Sequence, residues 1–458
     1  MRQAFTIDRP HPATLRALNY RPELARLAGR NASRLGLLPC KSTNSFGDIF
    51  AARLTAPGHG IQLLSQVDTF SAEPSGKWVR PDSMTRPEEH QLRKWQICIA
   101  GAGQMAEGNL FGRSILVDDR LADLFVASDS VVLEFDEPGS DVNLWLYAFL
   151  NTKVGLDAVR SCAYGTSIPR LRLDLLRELP IPRADDATTA RVASLVRQCV
   201  EQRGAYLQEL CAARRVIEQL PDVHEAKSAS AERKAQATMW TGPLRTLCAW
   251  NAASAGGALA MLQRRWSGRL GDVVPAGGIF YGPRFGRTTC EPPHGFDFLS
   301  QRDLFLIRPV PRRIAHPGFD DAKLFVQPDT VLVAAQGTLG EGEIFGRVML
   351  ARGQLSGAAY TQHVLRMAPE RGYGALLFAV LSTLVGLRLL RSTAVGTKLL
   401  SMREDLLRDL PIPDLEQVAR GRIGQHVDAA FTAREAAASA ELEAIRIVEE
   451  EVLPAWLA

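Results

Sequence analysis

The sequence lacks the residue patterns of most enzyme active sites. It has no Gly-x-x-x-x-Gly-Lys-[Ser/Thr] loop for nucleotide phosphates, no Ser/His/Asp or Cys/His set, and no pairing among its eight histidines. It also lacks the Asn-Pro-Pro-aromatic tetrapeptide with which amino-methyltransferases hold a flipped base. The seven cysteines are scattered without a Cys-x-x-Cys pair, which argues against a disulfide framework and a zinc site. We therefore predict a chain that is not an enzyme and that holds no metal and no cofactor.

Long apolar segments and a secretory leader are also missing. The most apolar run, residues 374–387, is shorter than the ~20 residues that cross a bilayer, so it predicts a core helix. Residues 1–12 are polar, which predicts a cytoplasmic protein without membrane contact. A hydrophobic content of 46% predicts ordered domains, and a net charge of +4 permits a polyanionic partner without requiring one.

What the sequence does contain is an internal repeat. Residues 148–182 return as residues 379–413, with 20 identities over 35 positions, a shared Gly-Thr and a shared closing Leu-Pro-Ile-Pro. Upstream, residues 60–70 match 295–305, and residues 97–113 match 331–347 with a shared Phe-Gly-Arg. Because the blocks keep the same order, the chain consists of two similar halves that read two similar things.

The repeat predicts an α+β fold with pseudo-twofold symmetry. Short β-type runs in each half are followed by a helix, over residues 143–161 in the first half and 373–391 in the second. Each half is then followed by a long amphipathic helix, from about 185 to 220 (about 54 Å at 1.5 Å per residue) and from about 415 to 453. The two long helices are expected to pair as an antiparallel, coiled-coil-like spacer. The predicted boundaries are 1–183 and 241–413 for the domains, and 184–240 and 414–458 for the helical segments.

Two motifs have enzymatic interpretations that the repeat disfavours. Residues 101–108 (GAGQMAEG) follow a β-run, as a dinucleotide- or S-adenosylmethionine-binding loop does, but their counterpart at 334–342 loses the first Gly and leads into another strand. A hairpin turn is the favoured interpretation. Asp222, Glu225 and Lys227 resemble a nuclease core, but they lie close together in a polar linker rather than on adjacent strands.

Repeated polar residues are the candidates for contact with DNA. The Gly-Thr junctions offer backbone amides, hydroxyls and cations to phosphates, although a helix C-cap with solvated charges explains them equally well. The Ser-Gln pairs could contact DNA or stabilise a turn. Basic residues in the stretches where the two halves differ in sequence are further candidates for DNA contact. For each of them, an ordinary solvated surface charge is the alternative interpretation. The candidates in the first half are Ser65, Gln66, Lys77, Arg80, Arg86, Arg93, Lys94, Thr166, Ser167, Arg170 and Arg172, and in the second Arg284, Arg287, Ser300, Gln301, Arg308, Arg312, Arg313, Thr397, Lys398, Ser401 and Arg403.

The repeated blocks resemble a known family. Two domains of about 160 residues, each ending in Gly-Thr, a Leu-rich stretch and a Leu-Pro-Ile-Pro that runs into a long helix, look like the specificity subunit of Type I restriction-modification systems. Gly-Thr-Leu-Gly at 337–340 is a second family trait. The chain departs from the family in its polar first 18 residues, in its acidic run Glu449–Glu451, and in the absence of the Pro-Pro-Leu-x-Glu-Gln continuation. These departures leave open a divergent defence system that uses the same reader.

The resemblance implies a non-catalytic reader of double-stranded DNA. It implies two target recognition domains, an asymmetric bipartite site, and two partner DNA adenine methyltransferase subunits that hold the S-adenosylmethionine, with a restriction or translocase subunit in some systems. The long helices would contact these partners through Leu195, Cys199, Tyr206, Leu210, Val427, Phe431, Leu442 and Ile445. The alternatives are a scaffold or regulator that binds the methyltransferase without reading sequence, and a fused enzyme fragment, which the missing catalytic motifs disfavour.

Overall fold

The fold is divided into two compact units in a computed structural model. Unit one contains residues 1–204 and 436–458, and unit two contains residues 205–435. Each unit therefore includes one half of the repeat together with a part of both long helices. The structure describes residues 22–29, 32–44, 53–55, 58–84, 86–105, 108–165, 167–231, 256–318, 320–339, 342–396 and 399–458.

Unit one is a mixed α+β unit. Its helices are α1 (Pro22–Gly29), α2 (Gln66–Thr69), α3 (Pro87–His90), α4 (Asp141–Leu150), α5 (Lys153–Ser161), α6 (Leu173–Arg177) and the first part of α7 (Asp186–Glu218). Its strands are β1 (Ser33–Arg34), β2 (Cys40–Asn44), β3 (Ile61–Leu64), β4 (Lys77–Val79), β5 (Ile97–Ala100), β6 (Ser114–Leu116), β7 (Phe125–Val126), β8 (Ser130–Phe135), β9 (Ala163–Tyr164), β10 (Arg170–Leu171) and β11 (Pro180–Ile181).

Unit two repeats this order of elements. Its helices after α7 are α8 (Pro221–Ala231), α9 (Gly256–Arg265), α10 (Leu270–Val273), α11 (Asp321–Leu324), α12 (Gly374–Leu381), α13 (Leu384–Ser392), α14 (Glu404–Arg408) and most of α15 (Gln417–Ile447). Its strands are β12 (Gly268–Arg269), β13 (Ile279–Tyr281), β14 (Phe296–Leu299), β15 (Arg312–Ile314), β16 (Val331–Ala334), β17 (Gln336–Gly337), β18 (Val348–Leu350), β19 (Ala359–Tyr360), β20 (Val364–Met367), β21 (Ala394–Val395), β22 (Leu400–Met402) and β23 (Pro411–Ile412). A π-helical turn, Val448–Val452, and α16 (Leu453–Leu457) follow α15 and belong to unit one.

Each unit is built on one four-stranded and one three-stranded sheet. The four-stranded sheets have the orders β2-β8-β5-β6 and β13-β20-β16-β18, and all their strand pairs are antiparallel. The three-stranded sheets, β4-β3-β7 and β15-β14-β19, combine an antiparallel with a parallel pair. The β-branched runs predicted as strands form the central strands β5, β8 and β16 and the edge strands β6 and β18 of these sheets, and most of their side chains are buried.

The single helix predicted in each half is a bent pair of helices. The angle between α12 and α13 is 88°. At the bend, the Thr152 and Thr383 hydroxyls cap the second helix by accepting from the N–H groups of Gly155 and Gly386. A Cβ at either glycine would lie 2.0–2.1 Å from the carbonyl oxygen of Phe149 or Val380. The repeated Thr-x-x-Gly therefore encodes a close turn between two helices where the apolar spacing predicted one.

Leu-Pro-Ile-Pro precedes each long helix, and the helices begin at Asp186 and Gln417, close to the predicted positions 185 and 415. In both units its central Pro-Ile forms a short strand, β11 against β1 and β23 against β12. The helix α7 starts later, where Asp185 accepts a hydrogen bond from the N–H of Thr188 at 2.8 Å. Pro fits these strands because it can occupy an edge position where no N–H is needed.

The long helices pair in antiparallel fashion inside each unit. In unit one, Leu195 and Cys199 of α7 pack against Ala437 and Ala440 of α15. In unit two, Tyr206 lies edge-on to Phe431 with ring centroids 6.2 Å apart, and the Glu209 carboxylate lies 2.7 Å from His426 Nδ1. Residues later in α7 thus contact residues earlier in α15, which is the antiparallel pairing predicted from the apolar periodicity.

A buried charged network joins the helices to the sheet domain in unit one. Arg203 of α7 donates to the Glu441 carboxylate of α15 at 2.9 Å, and Tyr147 of α4 donates to the same carboxylate. Asp118 lies 3.9 Å from Arg203 and 2.9 Å from Arg120. All five side chains are buried. Because an unpaired buried charge is costly, this network holds both helices in one register on the domain.

No single helix among the described residues is long and apolar enough to cross a membrane. The bent pair α12 and α13 reaches that length and hydropathy only when the two helices are taken together, and most of its apolar side chains are buried inside unit two, with Leu384 exposed.

The bend glycines provide a test of the fold. Gly386→Ala should lower the free energy of unfolding by more than about 2 kcal/mol, because the added methyl group must displace a backbone carbonyl. Gly424→Ala is the matched control, since nothing lies within 4 Å of its Cβ position in the interior of α15, and it should be neutral or stabilising by up to ~1 kcal/mol. Chemical denaturation of the full chain measures both changes, and equal effects would contradict the packing at the bend.

Candidate nucleic-acid interface

The repeated Ser-Gln pairs form structural clamps. Ser65 caps α2 in a capping box with Asp68, and Ser300 donates its N–H to Asp303 at 2.7 Å. The Gln66 side chain donates to the carbonyl of Ala102 at 2.8 Å and accepts from its N–H at 3.1 Å. Gln301 makes the same two bonds to Gln336, at 2.8 and 3.1 Å. These polar groups are therefore satisfied inside the chain, and they fix the segment that follows each central strand.

Gly165 and Gly396 of the Gly-Thr junctions lie between the paired strands of β-hairpins rather than at helix C-caps. Strands β9 and β10 flank Gly165, and β21 and β22 flank Gly396. Both glycines have positive φ angles, +87° and +115°, which explains why Gly recurs there. Ser167 is exposed in the first hairpin, and Ser401 is half-buried on β22 opposite Gln336. Thr166, Thr397 and Lys398 lie outside the described residues.

The predicted cations of unit one are nearly all neutralised by neighbouring carboxylates. The pairs are Arg80 with Asp82, Arg86 with Glu89, Arg93 with Glu134, Lys94 with Asp119, Arg170 with Asp129 and Arg172 with Asp174. Lys77 is exposed on β4 and has no carboxylate partner among the described residues. In unit two, Arg313 and Arg403 are likewise paired, with Asp297 and Asp405.

Three arginines of unit two form a cluster without a carboxylate among the described residues. We call Arg284, Arg287 and Arg312 the cation cluster; all three are exposed. The Arg287 guanidinium lies 5.0 Å above the ring of Phe298, whose cross-strand partner on β15 is Arg312. Burial and the neighbouring positive charge of Arg312 together lower the pKa of Arg287. Like charges held together in this way favour binding of an anion.

Residues that the sequence did not indicate surround the cation cluster. Burial and the charges of Arg287 and Arg284 lower the pKa of His363, which directly precedes β20. Arg366 is buried on β20, where it donates to the carbonyls of Val364 at 2.7 Å and Tyr360 at 3.0 Å. Burial lowers the pKa of Arg366 to about 10, so it stays positively charged at neutral pH. Sheet pairing brings these residues near a loop about 80 positions earlier in the chain, which no local sequence pattern could reveal.

Comparisons with solved structures find the family that the repeated blocks resemble. The chain is similar to the Type I restriction-modification S subunit from M. genitalium, with 12% identity, a TM-score of 0.32, and coverage of 93% of this chain and 96% of that one. It is similar to the HsdS subunit from Thermoanaerobacter tengcongensis, with 14% identity, a TM-score of 0.25 and coverage of 90% and 96%. A chain from a type I R-M system studied for complex assembly and conformational transition shows 14% identity, a TM-score of 0.26 and coverage of 92% and 97%.

No protein-family model matches the chain, and no curated protein matches it. Identities and TM-scores of this size do not establish a shared activity.

Most of the apolar stripe predicted to contact partners is buried within the chain. Cys199 packs in unit one, and Tyr206, Phe431, Leu210 and Val427 pack in unit two, so these side chains cannot also present an outer surface. Ile445 is buried as well, and Leu195 is half-buried. Leu442 is exposed on α15 and remains available for contact. The stripe is therefore explained by helix pairing, which produces the same periodicity as a partner surface.

The two motifs with enzymatic interpretations have structural roles. Asp222 and Glu225 of α8 both lie 2.7 Å from Arg265 of α9, and Asp222 also accepts from the indole of Trp266. They hold α8 against α9. Residues 101–108 lie between β5 and β6, an antiparallel pair, as the hairpin interpretation predicts.

The pKa of His363 reports on the cation cluster. Replacing Arg287 and Arg284 by Ala should raise the pKa of His363, because two positive charges that disfavour its protonated form are removed. An NMR titration of the selectively labelled imidazole measures the shift. Arg287→Lys with Arg284→Lys is the matched control, since it keeps both charges and should leave the pKa low. A His363 pKa that stays unchanged in the Ala variant would show that these arginines do not face it.

Proposed function

We propose that this chain is the non-catalytic DNA-recognition subunit of a Type I restriction-modification system or of a divergent defence relative. In this role it reads an asymmetric bipartite site and directs DNA adenine methyltransferase subunits to it. The observation that carries the proposal is the cation cluster on a duplicated scaffold. The family resemblance of the repeat and the names of the structural neighbours support the same role.

The cation cluster suits the DNA backbone. Phosphates along a duplex neutralise several cations at once, and the release of their counterions favours binding. Arginine provides planar donors for phosphate oxygens and for the O6 and N7 atoms of guanine. The stacking of Arg287 on Phe298 restrains the guanidinium in advance, which lowers the entropic cost of binding.

Differences between the two units favour a bipartite site with unlike halves. Lys77 of β4 and Arg312 of β15 occupy the same position in the repeat, opposite Leu63 and Phe298 on the adjacent strands. The other cations near Lys77 are ion-paired, whereas Arg312 lies beside Arg287. The two units then bind DNA with different residues on a shared frame, so the two half-sites differ in sequence.

The partner methyltransferase supplies the chemistry in this proposal. The resemblance places S-adenosylmethionine and the base-flipping pocket on that partner, so this chain needs neither. The exposed Leu442 of α15 is a candidate partner contact. A restriction or translocase subunit would join in systems that cleave DNA.

Neutralising the cation cluster should weaken DNA binding. The variant Arg284→Ala/Arg287→Ala/Arg312→Ala should bind a duplex selected from a random pool at least about tenfold more weakly than the wild-type chain at physiological salt. Its slope of log affinity against log salt should also fall by about 0.9 for each lost phosphate contact. Fluorescence anisotropy over a salt series measures both quantities.

A charge-matched triple variant controls for net charge. Arg80→Ala/Arg86→Ala/Arg93→Ala removes the same three charges from arginines that are already ion-paired in unit one. It should change affinity much less. Equal losses of DNA affinity in the two variants would mean that the protein binds DNA through net charge alone. A wild-type chain that selects no sequence from the random pool would disprove sequence-specific recognition.

Methylation profiling tests the partner half of the proposal. Deleting this chain from its host should abolish methylation at one bipartite motif, and exchanging residues 241–413 for those of a relative should change only one half of that motif. If the methylome is unchanged and the complex still assembles, the result favours the alternative in which the chain is a scaffold that binds the methyltransferase without reading sequence. A change in both halves would contradict independent reading by the two units.

A further inference from the structure

Exposed large hydrophobic side chains recur at one position of the repeat. Among the described residues, those exposed by 37% or more are Leu37, Leu54, Val67, Val142, Tyr164, Ile168, Tyr281, Leu384, Leu399, Val418 and Leu442. Of these, only Ile168 and Leu399 correspond to each other, 231 positions apart. They are 65% and 59% exposed. A single exposed apolar side chain is ordinary on a protein surface, but its recurrence at one position of both halves favours a role that both units share.

Both side chains stand on the turn of a firmly held hairpin. Ile168 follows Gly165 between β9 and β10, and Leu399 follows Gly396 between β21 and β22. In unit one, Ala102 pairs with Arg170 of β10, and in unit two, β17 pairs with β22. The Gln66 and Gln301 clamps hold those paired segments in turn. The strands that flank Ile168 and Leu399 are thus held to the sheet domain.

In unit two the hairpin lies beside the cation cluster. The Tyr281 hydroxyl donates to the carbonyl of Met402 on β22 at 3.0 Å, and Tyr281 directly precedes the loop with Arg284 and Arg287. The N–H of Ala335, next to β17, donates to the carbonyl of His363 at 3.1 Å. An apolar projection next to unneutralised arginines matches the chemistry of DNA, with its anionic backbone and apolar base stack.

We propose that Ile168 and Leu399 are wedges, each of which inserts into a base step of the half-site bound by its own unit. This inference rests on the proposed DNA-recognition function. Aliphatic side chains that insert between base pairs unstack and kink the duplex, and the position accepts either Ile or Leu because a wedge reads shape rather than sequence. Such unstacking lowers the cost of extruding a neighbouring base for the partner methyltransferase.

Base unstacking in the bound duplex tests the wedges. The full chain, alone and with its methyltransferase, is bound to its selected duplex, with 2-aminopurine placed at each adenine in turn and thymines probed with permanganate. The wild-type chain should give one reactive step in each half-site. Ile168→Ala should abolish the signal in one half-site and Leu399→Ala in the other, while both variants still select the same sequence.

Val418→Ala is the matched control, because Val418 is 73% exposed on α15 and should leave both signals intact. Signals that persist in the Ile168 and Leu399 variants overturn the wedge. If these variants lose the methyltransferase while base unstacking persists, the turns contact protein instead. A wild-type chain that selects a sequence without unstacking any step disproves the wedge alone, whereas a chain that selects none disproves both proposals.

Discussion

The pairing of α7 with α15 completes both units. Position 203 of α7 in unit one and position 434 of α15 in unit two correspond in the repeat, and both are buried arginines. Arg203 meets the carboxylate of Glu441, whereas Arg434 lies over the ring of Tyr206 and donates to the carbonyl of Leu306. The guanidinium group at this repeated position is thus stabilised by a carboxylate in unit one, and by an aromatic ring and a backbone carbonyl in unit two. Each unit must therefore provide partners for one buried arginine of a long helix.

The arginines that recur in the repeat are neutralised by carboxylates, unlike those of the cation cluster. Arg172 and Arg403 recur in the repeat, and each is held by an aspartate two residues later. Within the cation cluster of unit two, by contrast, Arg312 corresponds to Lys77 of unit one, and none of the three arginines has a carboxylate partner among the described residues. Repulsion between Arg287 and Arg312 costs stability in the free protein, and a bound polyanion would recover it. Ion pairing therefore accounts for the repeated Arg172 and Arg403 without any ligand.

Secondary-structure elements were easier to predict from the sequence than contacts between side chains. The runs at 97–100, 114–117 and 131–135 were recognisable as strands because β-branched residues between turns have few other stable conformations. The bend at Thr152 escaped prediction because apolar residues at helical spacing lie on both sides of it, although the polar residues Asn151 to Lys153 and the repeated Thr-x-x-Gly were usable signals. The Arg-x-Asp spacing in both halves could also have revealed the ion pairs of Arg172 and Arg403. The place of His363 depends on sheet register, which short-range patterns do not contain.

The distribution of the long helices sets an order of events during synthesis. Unit two is one continuous stretch, residues 205–435, so all of its parts have been made before translation reaches residue 436. Unit one needs residues 436–458, including Glu441 for Arg203 and Glu449, which accepts from the N–H of Lys153 at the start of α5. The half that is translated first is therefore completed last, and until then Arg203 lacks Glu441, the carboxylate to which it donates a hydrogen bond. Until those residues are made, the apolar core of unit one also lacks Ile447, Val448 and Leu453, which pack within it.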